Sequence, residues 1–346
     1  MKRVIVGISG GVDSSVAAAL LLEKGYEVIG VTFKFTEDFD TSDAIKVCEN
    51  LNIEHYIIDY KKEFKEVVIN SFINDYKNGI TPNPCVLCNK EVKFMFLYKK
   101  MLEFNCDYIA TGHYAKIIDG KLYKSVDLNK DQTYFLASLT KEQLNRLILP
   151  LEGITKEEVR NIALKYNLIN ASKKDSTDVC FINSNFKDYI QSVIKSMPGD
   201  VIDVSTGKII GKHNGVYNYT IGQRKGLNIG GTEERMYVVG KDVDKNILYI
   251  ACGEENDYLI STSCILKDIN LINDSNLENV TAKFRYRQKE VEVSLELNSD
   301  TIIVNYPHGI KSVTPGQICV FYNGNECLGC GKIDVVYKNN EKLWYL

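Results

Sequence analysis

Two short stretches and one distant cysteine contain the residues best suited to chemistry. Ser9-Gly10-Gly11-Val12-Asp13-Ser14-Ser15 gathers two glycines, three serines and a carboxylate. Gly10 and Gly11 let a backbone approach phosphate oxygens closely, and Ser9, Ser14 and Ser15 add hydroxyl donors. If a helix starts here, its free N–H groups and dipole favour an anion. The second stretch is Thr81-Pro82-Asn83-Pro84-Cys85-Val86-Leu87-Cys88-Asn89-Lys90. Its two prolines stiffen the approach, and a helix is expected to begin just after Cys88. A thiol near a helix N-terminus and beside Lys90 is expected to have a lowered pKa and more thiolate character. The third cysteine, in Asp175-Ser176-Thr177-Asp178-Val179-Cys180-Phe181, has the polar flanks of a loop at the edge of a site. By itself, Cys-x-x-Cys also fits half a zinc site or a redox pair.

These residues need a scaffold. Val4 to Ile8 is a nearly continuous apolar run and reads as a strand buried on both faces, as in a parallel sheet. The glycine-serine string follows it, then a helix over Val16 to Lys24 that stops at Gly25. Strands are expected at Glu27 to Phe33, Glu54 to Asp59 and Asp107 to Thr111. Helices are expected at Ser42 to Leu51, Lys61 to Tyr76 and Glu91 to Phe104. This alternation gives an α/β doubly wound parallel sheet, whose phosphate sites lie where a strand's carboxyl end meets a helix. Gly120 to Val126 reads as a small hairpin arm. Thr155 to Glu158 carries a capping box opening a helix, and Asn185 caps the next. From about residue 200 the chain turns rich in β-branched residues and glycine, with strands expected at Val216 to Thr220 and Met236 to Val239. After about residue 260 it is strand-rich again. The expected division is 1–199 as catalytic domain, 200–259 as a small β-rich central domain and 260–346 as a C-terminal β barrel.

The glycine-serine string is neither a Walker A loop nor a dinucleotide fingerprint, since Gly-Lys-Ser/Thr and Gly-x-Gly-x-x-Gly are both absent from it. It resembles the PP-loop signature Ser-Gly-Gly-x-Asp-Ser of ATP-pyrophosphatases, which cleave ATP to AMP and pyrophosphate while adenylating a substrate. The rest of the chain narrows this to a resemblance to the tRNA-uridine 2-sulfurtransferases (tRNA-specific 2-thiouridylases). The strings that carry it are Ser9 to Ser15, Thr81 to Phe94, Thr111 to Ala115, Lys130 to Leu136, Asp175 to Ile182, Tyr219 to Leu227, Phe284 to Arg287, and Thr314 to Gln317. They follow the family's order and span nearly the whole chain.

The resemblance implies the PP-loop, adenine nucleotide alpha-hydrolase-like fold, with ATP and Mg²⁺ as reactants. Gly7, Ile8, Ser9, Gly10, Gly11, Val12, Asp13, Ser14, Ser15, Phe33 and Gly112 would form the nucleotide site, with Asp13 helping to hold Mg²⁺. A uridine C2 oxygen is a poor leaving group until adenylation makes it part of AMP. Cys180 would then carry a persulfide received from a cysteine desulfurase or sulfur-relay protein, and Cys88 would be its partner thiol. Asn83, Pro84 and Cys85 would border the target base. His113, Lys130, Asp131, Gln132, Arg285, Tyr286 and Gln317 would face tRNA. The chain departs from many family members at Cys85, where they carry Asp. That departure opens a second arrangement, a [4Fe–4S] cluster on Cys85, Cys88 and Cys180. Two further readings are a PP-loop amidating ligase, which needs no paired thiols, and a non-catalytic RNA-binding protein.

Composition sets the bounds. The chain has 346 residues, 45% hydrophobic and 25% charged, with a net charge of -3. Any RNA surface must therefore be a local patch, and Gln223-Arg224-Lys225 and Lys283 to Arg287 are the candidates. The sequence has no apolar run long enough to cross a bilayer and no signal-peptide pattern at its start, so a cytosolic location away from membranes is expected. Ten cysteines in a reducing compartment are not a disulfide framework. Cys48, Cys106, Cys252, Cys264 and Cys319 read as core filler, Cys327 and Cys330 as part of a hairpin, and Trp344 as packing.

Overall fold

The computed structural model describes residues 1–175, 179–182, 185–195, 197–227, 229, 234–273 and 277–346. Ser176, Thr177 and Asp178, part of the string leading to Cys180, lie outside the described residues.

β1 (Arg3–Gly7) occupies the middle of a parallel sheet because its side chains are buried on both faces. Val4 and Val6 pack with Ala18 and Leu21 of α1 (Val12–Glu23), while Ile5 joins the opposite cluster around Phe94 and Leu97. Each such side chain contributes about 1.5–3 kcal/mol on burial. The chain continues through β2 (Glu27–Lys34), α2 (Ser42–Leu51) and β3 (Glu54–Asp59). It then enters a long helical stretch, α3 (Lys61–Phe64) and α4 (Asn70–Lys77), joined by a π turn at Lys65–Ile69. A second stretch comprises α5 (Pro84–Cys88), a π turn at Asn89–Lys93 and α6 (Phe94–Glu103). β4 (Tyr108–Ala110) lies on the other side of β1 from β2.

After β4 come the hairpin β5 (Lys116–Ile118) and β6 (Lys121–Tyr123), α7 (Thr133–Leu136), α8 (Lys141–Asn145), β7 (Leu147–Ile148), α9 (Lys156–Lys165) and α10 (Phe186–Val193). The sheet order is β3-β2-β1-β4-β7, parallel throughout. The chain winds one way from β1 to β3 and the other way to β4. The gap between β1 and β4 is therefore the switch point where open α/β sheets bind ligands.

A second sheet has β10 (Met236–Asp242), β11 (Ile247–Cys252), β8 (Gly199–Asp203) and β9 (Ile209–His213) in that spatial order. The third sheet has ten strands. Its C-terminal members are β12 (Ile260–Leu271), β13 (Thr281–Lys283), β14 (Val291–Glu292), β15 (Ser294–Leu297), β16 (Ile302–Lys311), β17 (Ile318–Asn323), β18 (Glu326–Lys338) and β19 (Glu341–Lys342). The hairpin β5–β6 completes it by pairing with β18. The arm expected at Gly120 to Val126 thus begins earlier and ties the N-terminal region to the C-terminal barrel.

Three local expectations change. The strand expected at Val216 to Thr220 is a 3-10 turn over Val216–Asn218. Gly215 turns the chain at φ 111°, and Asn218 Nδ2 donates to the Asn214 carbonyl at 2.9 Å. The helix expected after Cys88 starts at Pro84. Cys252 is exposed and bonded to Glu234, whereas Cys48, Cys106, Cys264, Cys319, Cys327 and Cys330 are buried. Trp344 stands edge-on to Tyr249 and Tyr345 but remains 66% exposed. No described helix is long and apolar enough to cross a membrane.

Candidate active site

The loop after β1 turns sharply at Gly10, whose φ is +74°. Gly11 then caps α1 without a side chain, which leaves first-turn N–H groups to a ligand or water. Ser14 Oγ donates to the Gly11 carbonyl at 3.0 Å and accepts from the Ser9 N–H at 3.2 Å. Ser15 is turned inward, donating to the same carbonyl at 3.0 Å and accepting from Asn170 Nδ2 at 2.9 Å. Of the residues read as nucleotide-binding, Gly7, Ile8, Ser9, Asp13, Ser14, Phe33 and Gly112 line one cavity of about 420 Å³. That volume lies within the range of small-molecule sites. Gly10, Gly11, Val12 and Ser15 belong to the same loop and helix start but are not among the lining residues.

Gly112, just past β4, presses against the start of α1. A Cβ there would lie 2.5 Å from the Asp13 carbonyl carbon and 2.6 Å from the Ser14 nitrogen. Only glycine permits that approach, and it brings the loops after β1 and β4 to one opening.

Behind Asp13, outside the cavity lining, lies a charged cluster. Asp13 accepts from Tyr114 Oη at 2.7 Å and pairs with Lys156 Nζ at 2.6 Å. Lys156 also meets Asp175 at 2.8 Å, and Asp175 meets Lys130 at 2.7 Å and Arg160 at 3.0 Å. Burial alone would push the Asp175 carboxyl up, but hydrogen bonds from Lys130 and Lys156 outweigh it and hold the group at about 2. Lys173 pairs with Asp43 at 2.6 Å and reaches the Gly10 carbonyl. The capping box of α9 places Lys156 by fixing the helix start (Thr155 and Glu158 bond reciprocally). Sequence reasoning saw the cap but not the charge it delivers, and nothing in the sequence pointed to Asn170.

Cys85, Cys88 and Cys180 line the same cavity as Ser9 and Asp13. Asn83 caps α5 by accepting from the Val86 N–H, and Pro84 occupies the first turn. Cys88 therefore sits inside a helix rather than at its N-terminus, and the expected lowering of its pKa is reversed. Burial pushes its thiol up to about 12. Cys85 and Cys180 show surface to the cavity but are enclosed elsewhere, and burial raises them too. Lys90 pairs with Glu91 at 3.4 Å, and the cation acting on all three thiols is Lys93. All ten cysteines are free, and among the described residues no three His, Cys, Asp or Glu side chains are grouped to hold a metal ion.

The residues read as facing RNA divide. Pro84, Cys85, His113 and Gln132 line the cavity, while Asn83 stands just before them as the cap of α5. His113 Nδ1 shares a 2.8 Å hydrogen bond with Thr111 Oγ1, and burial keeps the ring neutral. Lys130 is at the surface, paired with Asp175. Asp131 is buried, accepting from the Ser125 N–H and from Thr133 Oγ1, so its carboxylate is not offered to a partner. Arg285 is likewise engaged inside, donating to the carbonyls of Ile221 and Ser312 and to Thr314 Oγ1. Tyr286 packs 4.4 Å from Phe135. Gln317 Nε2 donates to the Thr81 carbonyl at 2.8 Å and braces the loop ahead of Cys85. Arg224, Lys225 and Arg287 remain exposed.

Residues 2–184 match the family described as tRNA methyl transferase HUP domain, residues 187–252 its PRC-barrel domain, and residues 261–333 an aminomethyltransferase beta-barrel domain. The chain is 44% identical to the tRNA-specific 2-thiouridylase MnmA of Mycoplasmopsis synoviae (strain 53), covering 100% of this chain and 99% of that protein. It is 46% identical to tRNA-specific 2-thiouridylase MnmA 2 of Geobacillus kaustophilus (strain HTA426), covering 99% and 98%. Identity to the protein of the same description in Bacillus subtilis (strain 168) is 43%, again over 99% and 98%.

Two outcomes follow from this geometry. Gly112→Ala sets a carbon against backbone that cannot swing aside; stability should fall by about 1–3 kcal/mol and ATP affinity by roughly tenfold or more, read by thermal melt and calorimetry. Because its raised pKa keeps Cys88 protonated at neutral pH, iodoacetamide should modify it more slowly than a free thiol at roughly pH 8, with the rate climbing as pH rises towards the raised value. Residue-resolved mass spectrometry checks this.

Proposed function

This chain belongs to the tRNA-specific 2-thiouridylase family, and we propose that one cavity carries out both halves of an ATP-dependent exchange of oxygen for sulfur on the wobble uridine of tRNA. The observation that carries the proposal is that the glycine-serine loop and the thiols of Cys88 and Cys180 open into one space. The loop after β1 holds the ATP phosphates, and Phe33 contacts adenine. Asp13 is the carboxylate of that wall and would hold a Mg²⁺, which would supply positive charge against the phosphates and the leaving pyrophosphate. Lys156, already beside Asp13, adds positive charge from the protein itself.

In the first half, the uridine C2 oxygen attacks the α-phosphorus and pyrophosphate leaves. In the second, the terminal sulfur of a Cys180 persulfide reaches C2 and AMP leaves with the former oxygen. Cys88 thiolate attacks the inner sulfur of Cys180 before or after that step, forming a Cys88–Cys180 disulfide. The terminal sulfur departs either as hydrosulfide, which then attacks C2, or already attached to C2. A thiol reductant returns both cysteines to thiols. A cysteine desulfurase or sulfur-relay protein supplies the persulfide, and a reducing, cytosolic setting keeps the thiols free between turnovers.

Asn83, Pro84, Cys85, His113 and Gln132 border the target base, and Lys130, Tyr286, Arg224, Lys225 and Arg287 form the surrounding RNA surface. Cys85 takes the place of an acid within the relay, which is preferred to a [4Fe–4S] cluster because the chain otherwise keeps the 2-thiouridylase character of its relatives over its whole length. Methyl transfer, named in two of the family descriptions, would leave the phosphate loop and the facing thiols without a task.

With tRNA, ATP, Mg²⁺ and a persulfide donor, the enzyme should release pyrophosphate, and Cys88→Ser or Cys180→Ser should cut 2-thiouridine formation by a factor of roughly one hundred or more. Retained thiolation in either variant, scored by nucleoside mass spectrometry, sinks the relay, whereas retained ATP turnover with no sulfur entering the base favours an amidating ligase. Protein purified without oxygen should contain no stoichiometric iron or sulfide; a brown protein with both would restore the cluster.

A further inference from the structure

The helix that carries Cys88 is irregular at one place, the π turn Asn89–Lys93 between α5 and α6. In an unbroken α-helix, residue i+5 would point about 140° away from residue i, since each residue advances about 100°. The i→i+5 bonding of a π turn brings residue 93 back over residue 88. Such single-turn insertions recur at functional sites. Here the Lys93 backbone N–H also lies against the Cys88 sulfur.

The cavity wall shows what the turn delivers. Besides the three cysteines, its titratable side chains among the described residues are Asp13, Lys93 and His113. His113 is held neutral by burial, so Lys93 is the positive charge in the wall. It makes no ion pair among the described residues. Around Cys88, the charged or ionisable groups are Lys93 and Cys85 on its own helical stretch, Cys180 on the facing loop, His113 after β4 and Asp13 at the start of α1. The faces contributed by α3 and its π turn are apolar, with Phe64 and Val68.

We propose that Lys93 is a positioning residue of the sulfur-transfer step, its ammonium held over Cys88 by the π turn to balance the negative charge that develops on sulfur in this cavity. The proposal rests on the relay reading above. Lys93 neither gives nor takes a proton. The Cys88 thiol loses its proton to water in the cavity, the electron pair stays on sulfur until it forms the bond to Cys180, and the ammonium remains charged throughout. Burial works against a sulfur anion at Cys85, Cys88 and Cys180 alike, and Lys93 opposes it at all three.

The test measures the pH profile of Cys88 alkylation, by residue-resolved mass spectrometry on the full chain, together with single-turnover thiolation by persulfide-loaded enzyme. Lys93→Met should slow Cys88 alkylation at roughly pH 8 by about tenfold and slow single-turnover thiolation roughly tenfold. Lys93→Arg, which keeps the charge, should recover most of both. Lys90→Met, on the same stretch but paired with Glu91, should follow the unmodified protein. Lys93→Gln serves if the Met variant does not fold. An unchanged Cys88 profile in a folded Met or Gln variant overturns the proposal, as does an Arg variant as impaired as Met. If Cys88→Ser still thiolates tRNA, the relay itself fails, while the alkylation profile continues to report separately on the field of Lys93.

Discussion

One close contact fixes the geometry of the active region. Gly112 lies so tightly against the backbone of Asp13 and Ser14 that no side chain fits between them. Because β1 and β4 are neighbours at the sheet's switch point, the loops that follow them would diverge around whatever separated them. Pressed together, they make one wall, with the phosphate-directed loop on one side and His113 and Gln132 on the other. The thiol-bearing helix α5 and the chain around Cys180 complete the lining of that space.

Burial and charge pull in opposite directions within it. A half-enclosed cavity shields an adenylated base and a persulfide from much of the surrounding water and strengthens the electrostatic interactions inside. The same enclosure disfavours the sulfur anion that the chemistry needs. The protein answers with two local devices: Lys156, delivered by the capped start of α9, at the phosphate end, and Lys93, delivered by a π turn, at the thiol end. Both are lysines whose placement depends on a helix irregularity or terminus rather than on the residue type alone.

The C-terminal barrel is joined to this site rather than appended to it. The hairpin β5–β6 is part of its sheet, Gln317 holds the Thr81 and Pro82 carbonyls, and Asn270 bonds the carbonyls of Ala137 and Leu139 behind α7. Several residues in strings that carry the family resemblance, Asp131, Arg285 and Gln317 among them, make internal bonds of their own. Their chemistry as polar side chains does not distinguish a joint from an RNA contact until their partners are seen.

The sequence alone determined what short-range pattern controls. The continuous apolar run at Val4 to Ile8, the strand-helix alternation, the cap at Thr155 and the residue types at Ser9 to Ser15, Cys85, Cys88 and Cys180 were legible because periodicity, capping and side-chain chemistry are local. The tertiary structure decided the rest. Whether Cys88 is an activated or a suppressed thiol depends on how much protein surrounds it and where its helix begins, and the cap at Asn83 sets that start at Pro84, ahead of Cys88 rather than after it. Which lysine acts on it depends on a π turn that no composition rule marks, so Lys90 drew attention in the sequence while Lys93 faces the sulfur in space. Burial and through-space charge are properties of the packed chain, and they are what turn a set of reactive residue types into a site.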